Sequence, residues 1–540
     1  MEKRLLVAFL ISAAIVALWS LVFSPSRRPQ VPEAVVAHET PATAEMPPGA
    51  EAESRPAPPE VVVDEAVAAQ SEERLVLTND VVEIGLSNRG AVVTSLILKD
   101  FSGDDGQALN LVQSLDEEWR ALPLQLVTGE TVDSRLYAVE RIEGGYTFLW
   151  ADGRGNGVRK ELRLSADGYG LEFRLEARGE LEDAWLSVGS GMRDTSEMER
   201  ANRFSTWGDA AVLVGADLEK YRREKLKETV ELAGEGVVYA GFSDTYFLSL
   251  VRPRNAVAGI RIVPREHAEV DAKGEAKKVK VLQILVAPKG GRLEAELLVC
   301  PKQYDLLHRL GGGVEKTLDF GFFHPISVFF LKTLQWTYGM VGNYGLAIVL
   351  LTFGIRLLLF PLMHKSTVSM RKMQKLQPKV KALQEKYRKN KSDPQVRAKM
   401  NQEMMELYRV EGVNPMGGCL PMLVQLPILW ALYTLFAHAI ELRHAPFVFW
   451  IHDLSARDPY YITPILMTAT MWLQQKMAPQ VGDPQQQRIF RLMPFIFGFM
   501  FLGFPSGLVL YWLTNNVITI VQQEVTFKLM GERRGKGGRE

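Results

Sequence analysis

Arg356 is the one charged residue in Gly345 to Leu362, a hydrophobic segment long enough to cross a membrane as a helix. A basic side chain near the centre of a span costs about 2.5–3.5 kcal/mol on insertion scales. The expected cytoplasmic end near Lys365 is about 13 Å away by helical rise, farther than an arginine stem extends. Snorkelling to that end, helped by local thinning of the bilayer, is therefore an incomplete alternative, and the sequence predicts a polar environment around Arg356.

No aspartate or glutamate lies inside a predicted membrane span, since Glu441 and Glu524 stand only at span ends, so none is expected to neutralise Arg356. The spans offer neutral hydrogen-bonding groups instead, and these can solvate a guanidinium while its charge stays in place. The candidates are Thr352, Gln425, Asn515, Asn516 and Thr519. Each of them alone could be a polar contact between helices. Together with an unpaired arginine, they predict a hydrated pocket of net positive charge in the inner half of the bilayer.

A positive pocket inside a membrane is compatible with hydrolysis, solute transport or the handling of polypeptide. A hydrolase needs a nucleophile and base or a set of metal ligands. No carboxylate lies inside the spans away from their ends, and His438 has no ligand partner at a useful spacing, so His438 is interpreted as structural and neither an enzyme nor a cofactor is predicted. A transporter usually has internal repeats; none is found, but a transporter of a small anionic solute stays the alternative. The pocket could instead attract the acidic tail of another hydrophobic chain.

The charges are unevenly distributed, although 63 basic and 63 acidic residues cancel. Residues 71–331 have 33 basic and 42 acidic residues, a net charge of −9, whereas residues 364–411 have 13 basic and 5 acidic, a net charge of +8. This pattern argues against one uniform soluble domain and against a protein that is basic throughout, so no nucleic-acid substrate is expected. With only Cys300 and Cys419, a disulfide framework is excluded.

The first 320 residues are predicted to form an anchor, a linker and a β-rich domain. Residues 1–23 contain an uncharged stretch that follows two basic residues, which favours an uncleaved transmembrane anchor over a cleaved signal peptide. Residues 24–70 are rich in Pro, Ala and Glu and are predicted to be a disordered linker. Residues 71–320 contain strand patterns such as the strict alternation from Leu171 to Arg178, which predicts an all-β domain with its own core.

The rest of the chain is predicted to contain five further membrane spans, which makes six with the anchor. Short loops rich in lysine and arginine stay in the cytoplasm, so both termini are predicted to be inside and the β-rich domain outside. Phe504 to Gly507 supplies helix breakers within 32 uncharged residues, which are too many for one crossing. The predicted segments are an interfacial amphipathic helix (325–340, with a core helix of the preceding domain as the alternative), the second to sixth spans (341–363, 416–440, 460–476, 492–504 and 505–527), an outer loop (441–459), a cytoplasmic loop (477–491) and a basic cytoplasmic tail (528–540).

Residues 364–411 are predicted to form a basic helical hairpin in the cytoplasm. Apolar residues repeat every three or four positions on both sides of Ser392-Asp393-Pro394, which resets the helix. Such a hairpin joins its apolar faces and exposes its lysines and arginines, which suit anionic lipid head groups or ribosomal RNA. A solvated loop that only sets the orientation of the spans is the alternative.

Several motifs in the second half of the chain resemble the YidC family of bacterial membrane protein insertases. The matching residues are Gly345 to Ile348, Arg356, Phe360 to Leu362, Leu376 to Lys379, Val413 to Cys419, Trp450 to Leu454, Asp458 to Tyr461 and Phe504 to Trp512. The resemblance covers about residues 320–527 and is weaker over 75–310, where Asp244 to Phe247 is one match. It implies a polytopic α-helical membrane protein of the Gram-negative type, with six transmembrane helices, five of them forming the insertase core, and a large periplasmic all-β supersandwich domain.

The resemblance also implies a function without covalent chemistry. Members of this family insert inner-membrane proteins and help them to fold, alone or with the Sec translocon. The groove residues that it implies are Arg356, Thr352, Gln425, Trp512 and Thr519, and the positions of Asn515 and Asn516 in the sixth span add these two. The expected partners are nascent membrane proteins, the Sec translocon, anionic lipids and the ribosome, although a tail of about 13 residues is short for ribosome docking.

Overall fold

The computed structural model describes residues 65–104, 106–115, 117–195, 199, 205–270, 276–387, 393–413, 420–477 and 484–529. The predicted anchor (1–23), nearly all of the predicted linker and most of the predicted C-terminal tail lie outside the described residues. The described chain has two parts, a β-rich domain up to Pro301 and a helical part from Tyr304 onward.

Twenty strands form the β-rich domain within the described residues. They are β1 (Ala66–Val67), β2 (Arg74–Thr78), β3 (Val82–Ser87), β4 (Val92–Ser102), β5 (Ala108–Asn110), β6 (Leu126–Thr128), β7 (Thr131–Val132), β8 (Ala138–Ile142), β9 (Gly145–Asp152), β10 (Gly157–Leu164), β11 (Gly170–Arg178), β12 (Trp185–Ser190), β13 (Asp209–Val214), β14 (Asp217–Tyr221), β15 (Val230–Ala233), β16 (Val237–Ser243), β17 (Phe247–Pro253), β18 (Val257–Val270), β19 (Ala276–Pro288) and β20 (Arg292–Pro301).

These strands pair in three antiparallel sheets. The largest has ten strands in the order β1-β9-β10-β11-β20-β17-β16-β13-β14, with β8 also paired to β9. The second has the order β15-β18-β19-β12-β6-β7 and the third the order β2-β3-β4-β5. The alternation predicted for β11 is present, since Leu171, Phe173 and Leu175 are buried between more exposed charged residues. Buried side chains from all three sheets share one hydrophobic core.

Eight α-helices follow or close the β-rich domain in the part of the chain that the structure describes. They are α1 (Tyr304–Leu310), α2 (His324–Val341), α3 (Tyr344–Lys386), α4 (Pro394–Val410), α5 (Leu420–His438), α6 (Ile462–Met477), α7 (Pro484–Phe501) and α8 (Ser506–Leu529). Helix α3 begins at an Asn343 cap, whose side chain accepts a hydrogen bond from the Leu346 amide at 3.0 Å. Asp393 caps α4 in the same way, by accepting from the Gln395 amide at 2.9 Å.

The helices extend beyond the apolar stretches that hydropathy identifies. Among the described residues, α3 alone is long and apolar enough to meet a simple criterion for a membrane span, and the apolar parts of α5 and α7 are shorter, at Val424–His438 and Arg491–Phe501. Helix α3 continues from the predicted second span into the predicted hairpin, and α7 begins at Pro484, before the predicted fifth span at 492. A helix ends where its backbone hydrogen bonding ends, whereas a span ends where its apolar side chains end.

A second hydrophobic core joins the β-rich domain to the helices. It runs from Leu248 and Cys300 in the largest sheet to Leu334 in α2, Ile348 in α3 and Leu435 in α5. Charged contacts surround this apolar junction in the loop after α5. Arg443 donates to Glu199 at 3.2 Å and to the Ser102 carbonyl at 2.8 Å, and His444 contacts Asp104 at 2.8 Å. The helices that position the candidate site are therefore packed directly on the β-rich domain.

Candidate functional site

Arg356 lies where α3 packs against α8, and 7% of it is exposed. Its Nε donates a hydrogen bond to the Asn515 Oδ1 of α8 at 2.5 Å. No carboxylate among the described residues lies within ion-pair distance of its guanidinium. The structure therefore gives this buried arginine a neutral partner on the neighbouring helix.

Gln425 and Tyr511 form a second polar contact between helices. Gln425 of α5 donates from Nε2 to the Tyr511 hydroxyl of α8 at 2.7 Å. Tyr511 is 1% exposed and lies close enough to Arg356 to interact with it electrostatically. Since the Gln425 Oε1 is buried and has no hydrogen-bond donor among the described residues, the site contains an acceptor that an incoming donor could use.

Thr352 and Thr519 flank the Arg356–Asn515 contact without bonding to the guanidinium. The Thr352 hydroxyl donates to the Ile348 carbonyl at 2.7 Å, and the Thr519 hydroxyl donates to the Asn515 carbonyl at 2.7 Å. Each hydroxyl proton is thus used in a hydrogen bond to the preceding turn of its own helix. Both hydroxyl oxygens keep a lone pair, so they contribute to the polarity of the site as acceptors.

Trp512 belongs to an aromatic wall beside the site. Its ring lies 5.1 Å from that of Phe501 and 6.2 Å from that of Phe497, both on α7. Phe504 extends the cluster, with its ring 4.8 Å from that of Phe501. The aromatic rings hold α7 against α8, and they place an apolar boundary next to the polar contacts of Arg356.

Asn516 is turned away from Arg356. It is 2% exposed, and its Nδ2 donates to the Met467 carbonyl and the Thr470 hydroxyl of α6, both at 3.4 Å. Successive residues of a helix are about 100° apart, so Asn515 and Asn516 contact different neighbours. Of the predicted site residues, Asn515 bonds Arg356 directly, whereas Asn516 connects α8 to α6.

The predicted set omitted Tyr511, which links Gln425 to the neighbourhood of Arg356. A signal was present in the sequence, because Tyr511 stands four residues before Asn515 and therefore lies on the same face of α8. Gln522 and Gln523 were omitted as well, and each has a buried amide atom with no partner among the described residues. His438 is bound to its own helix, with Nδ1 at 2.8 Å from the Thr434 carbonyl.

An apolar helical part packed on a large β-rich domain is the architecture of a membrane protein with a substantial extramembrane domain. Two family models match the chain, and their boundary lies within α2: residues 74–333 match the YidC periplasmic domain, and residues 336–533 match the 60Kd inner membrane protein family. The membrane protein insertase YidC of Geobacter metallireducens is 35% identical over 99% of this chain and 100% of its own length. The chain belongs to the YidC family of membrane protein insertases.

Two further comparisons cover most of the chain. The membrane protein insertase YidC of Pelobacter propionicus is 36% identical over 98% of this chain and 100% of its own length. A crystal structure described as active YidC insertase with the first transmembrane domain resolved is 19% identical, covers 86% of this chain and 95% of its own, and has a TM-score of 0.36. The family models and the two relatives confirm the resemblance in the sequence motifs, and the structure has the β-rich domain and the helical C-terminal part that the resemblance implies.

Proposed function

We propose that this chain is an insertase and chaperone for proteins of the bacterial inner membrane. The relatives that match its whole length have the name membrane protein insertase, which supports this activity. The observation that carries the mechanism is a buried arginine, Arg356, whose hydrogen-bond partner is the neutral amide of Asn515. The proposed groove consists of Arg356, Thr352, Gln425, Trp512, Thr519, Asn515 and Asn516, with Tyr511 added from the contacts described above.

The proposed groove is hydrophilic and open to the cytoplasm and to lipid, and it acts by electrostatic attraction where the effective dielectric constant is lower than in bulk water. Two opposite charges about 4 Å apart attract by roughly 4 kcal/mol at an effective dielectric constant of 20. An acidic tail near Arg356 recovers part of its desolvation cost in this way. Because Asn515 solvates the guanidinium without neutralising it, the charge stays available to the substrate.

The apolar segment of the substrate then passes sideways into lipid along α5 and α7. Large apolar side chains on these helices are exposed: Leu426 and Trp430 on α5, and Phe495 and Ile496 on α7. Transfer from this surface to lipid exchanges one apolar environment for another, so it needs no chemical energy source. No covalent bond is made or broken in this mechanism.

The proposed arrangement places the groove in a six-span protein. The anchor, α3, α5, α6, α7 and α8 supply the spans, the last five form the insertase core, and the β-rich domain is a periplasmic supersandwich. Both termini are cytoplasmic in this arrangement, as the basic loops require. The domain limits are those proposed from the sequence, and the Sec translocon is the proposed partner in the membrane.

The proposed cytoplasmic hairpin receives the substrate before it enters the groove. The end of α3 and α4 are connected by ion pairs, Lys379 with Glu411 at 2.6 Å and Lys386 with Glu403 at 3.1 Å. Met405 and Val410 on α4 are more than half exposed. This combination of exposed apolar residues and basic charge suits a nascent hydrophobic chain, the ribosome that makes it and anionic lipids.

Reconstitution of the full chain in liposomes tests the role of the charge. The substrate is a single-span protein with an acidic tail, and protease protection of that tail measures insertion. Arg356→Ala removes a charge-assisted interaction that is worth about 1.5–3 kcal/mol, so insertion is expected to slow about tenfold or more. Arg356→Lys keeps the positive charge, and its insertion rate is expected to lie between those of the wild type and of Arg356→Ala.

Lys332→Ala is the matched control, since Lys332 is an exposed cation on α2, outside the proposed groove and the proposed hairpin. It is expected to insert the substrate at the wild-type rate. Full insertion by the Arg356→Ala variant would contradict the proposal. Retention of the thermal unfolding transition by each variant shows that a loss of insertion does not come from a loss of fold.

A further inference from the structure

A concave apolar surface lies between α6 and α7, on the side of α6 that faces away from α8. Its lining includes Pro464, Ile465 and Trp472 of α6 and Phe495, Phe499 and Leu502 of α7. The cavity has a volume of about 400 Å³ and is open along one side. Ile465, Phe495 and Phe499 are all more than half exposed. We call this surface the α6–α7 groove.

The floor of the groove is fixed by a close approach of the two helices. A Cβ atom on Gly498 of α7 would lie only 2.1 Å from the Thr468 Oγ1 of α6. Glycine is therefore required at the crossing, and the large side chains on either side of it form the walls. The groove is thus a built feature of the helix pair, because it depends on a small residue at one defined position.

Two basic residues lie at one end of the groove. The Lys476 ammonium stacks on the ring of the groove residue Trp472, 5.2 Å from its centroid. Arg491 is exposed and stands one turn before the groove residue Phe495 on α7. Neither cation has an ion-pair partner among the described residues.

The two cations lie at the same height along the helix pair. Lys476 is eight residues after Thr468, and Arg491 is seven residues before Gly498. At about 1.5 Å per residue, both lie about 10–12 Å from the helix crossing, toward the ends of α6 and α7 that the chain joins. In the proposed topology these helix ends are cytoplasmic. An apolar groove that ends in two cations at the cytoplasmic surface therefore has the chemistry of a site for an anionic lipid.

We propose that the α6–α7 groove binds one anionic phospholipid, with an acyl chain between Trp472 and Phe499 and the phosphate between Lys476 and Arg491. A zwitterionic lipid brings its own cation and gains less from this pair of charges. A transmembrane helix of another protein could cover the apolar walls, but it offers no anion at the height of the two cations. The inference rests on the membrane placement of α6 and α7 in the proposed function. It does not depend on the charge of Arg356, although Phe495 also lies on the proposed path of the substrate along α7.

Native mass spectrometry of the full chain tests the charge recognition. The protein is purified from nanodiscs that contain equal amounts of phosphatidylglycerol and phosphatidylcholine, and the retained lipids are counted. The wild type is expected to retain more phosphatidylglycerol than phosphatidylcholine. Each basic residue near a membrane surface increases the affinity for an anionic lipid about fivefold. The Lys476→Gln, Arg491→Gln double variant is therefore expected to retain about 25-fold less phosphatidylglycerol than the wild type.

The double variant Lys332→Gln, Lys528→Gln is the matched control. It removes two exposed cations from α2 and α8, outside the α6–α7 groove and the proposed hairpin, and is expected to keep the bound lipid. Equal retention of the two lipids by the wild type would overturn the proposal. An equal loss of phosphatidylglycerol in the two double variants would overturn it too, because the attraction would then be a general effect of surface charge.

A photoactivatable acyl chain locates the lipid within the groove. Phosphatidylglycerol with such a chain is expected to label peptides that contain Trp472 or Phe499. Ala469→Phe fills the groove while both cations stay in place, and it is expected to abolish this labelling. Labelling that persists in this variant, or displacement of the lipid by a hydrophobic helical peptide at equal concentration, would overturn the proposal. Insertion by the Ala469→Phe variant is measured in parallel, so that a loss of lipid binding is distinguished from a failure of the insertion mechanism at Arg356.

Discussion

Two buried arginines in this protein have nearly equal burial and opposite electrostatic surroundings. Arg193 in the β-rich domain is 4% exposed and Arg356 in the helical part is 7% exposed. Arg193 donates to Asp244 at 2.5 Å and to Glu199 at 2.6 Å. Arg356 donates to the neutral Asn515 at 2.5 Å. The buried charge of Arg193 is thus balanced by carboxylates, whereas no carboxylate among the described residues pairs with Arg356.

The difference separates a structural cation from a functional one. Although burial lowers the pKa of Arg193, the charges of Asp244 and Glu199 hold it above its usual value. Glu199 also accepts from Arg443, in the loop after α5, at 3.2 Å. This network leaves Arg193 no capacity for a substrate and ties the domain to the helices. Arg356 has no such balance, which is the property that attraction of an acidic segment requires.

The largest effect is expected for Asp244→Ala. This change leaves Arg193 buried with one anion fewer and removes the acceptor of the Tyr246 and Phe247 amides, each at 2.6 Å. Breaking a buried ion pair on one side costs about 3–5 kcal/mol. Chemical unfolding of the full chain in detergent, followed by near-ultraviolet circular dichroism, measures the loss.

Arg254→Ala is the control for that experiment, because Arg254 forms an exposed pair with Glu172. Exposed pairs contribute about 0–1 kcal/mol. Arg356→Ala is expected to change the free energy of unfolding far less than Asp244→Ala, since it orphans no carboxylate. Equal destabilisation by these two variants would remove the distinction between the two arginines.

A neighbouring pair of asparagines sharpens the comparison within the helical part. Asn515→Ala removes the hydrogen-bond partner of Arg356 and is expected to slow insertion about 10- to 100-fold, as for a hydrogen bond to a charged group. Asn516→Ala is the matched control, because Asn516 contacts α6 instead. It is expected to lower stability slightly and to leave insertion within about threefold of wild type. Protease protection of the substrate tail measures both, and equal loss in the two variants would contradict the assigned roles.

This pair also marks how far sequence reasoning reaches. An arginine inside an apolar segment predicts polar partners around it, because a guanidinium without such partners in a membrane has a high free-energy cost. Choosing between Asn515 and Asn516 requires the rotation of α8 about its axis. That rotation is set by packing such as Trp512 on Phe501, which is a contact with another helix. The composition of the site was therefore predictable, and its internal contacts were not.

The fold shows the same division between local and non-local information. Alternation along β11 predicted a strand with one buried face, because that pattern is local. The Arg193–Asp244 pair joins residues 51 positions apart, and no periodicity in the sequence points to it. The same is true of Lys160, which lies opposite Leu175 in the sheet and is fully buried. A charged residue in a predicted strand is expected to be exposed unless the groups that bind its side chain are known.

Lys160 gives the comparison a third case, a buried cation with only backbone carbonyl acceptors. Its Nζ donates to the carbonyls of Gly90, Ala91 and Leu124 at 2.7, 3.1 and 2.7 Å. Burial lowers the pKa of Lys160 to about 8 from its usual 10.5, against the opposing charge of Asp133. Above pH 8 the folded protein loses this proton, while the unfolded chain keeps it up to about pH 10.5. The free energy of unfolding therefore rises with pH in this window.

The expected rise is roughly 2 kcal/mol between pH 8 and pH 10 for this lysine. Lys302 has the same lowered pKa of about 8, so Lys160→Met is expected to remove about half of the pH dependence. Denaturant unfolding of the full chain at each pH measures it, with Lys278→Met as the control at an exposed lysine. A slope that is unchanged in Lys160→Met would show that this cation is not the group that titrates.

The smallest effect is expected in the proposed hairpin, where charges are paired but exposed. Lys379 contacts Glu411 at 2.6 Å, with 62% of the lysine side chain and 34% of the glutamate side chain exposed. Solvent screening limits such a pair to less than about 1 kcal/mol. Lys379→Gln is therefore expected to leave the unfolding transition of the full chain unchanged within error, even though its ion pair is nearly as short as that of Arg193. A loss as large as that of Asp244→Ala would mean that pairing alone stabilises this protein. The expected contrast means instead that an ion pair stabilises this protein only where its charges are buried, and Arg356 is nearly as buried as Arg193.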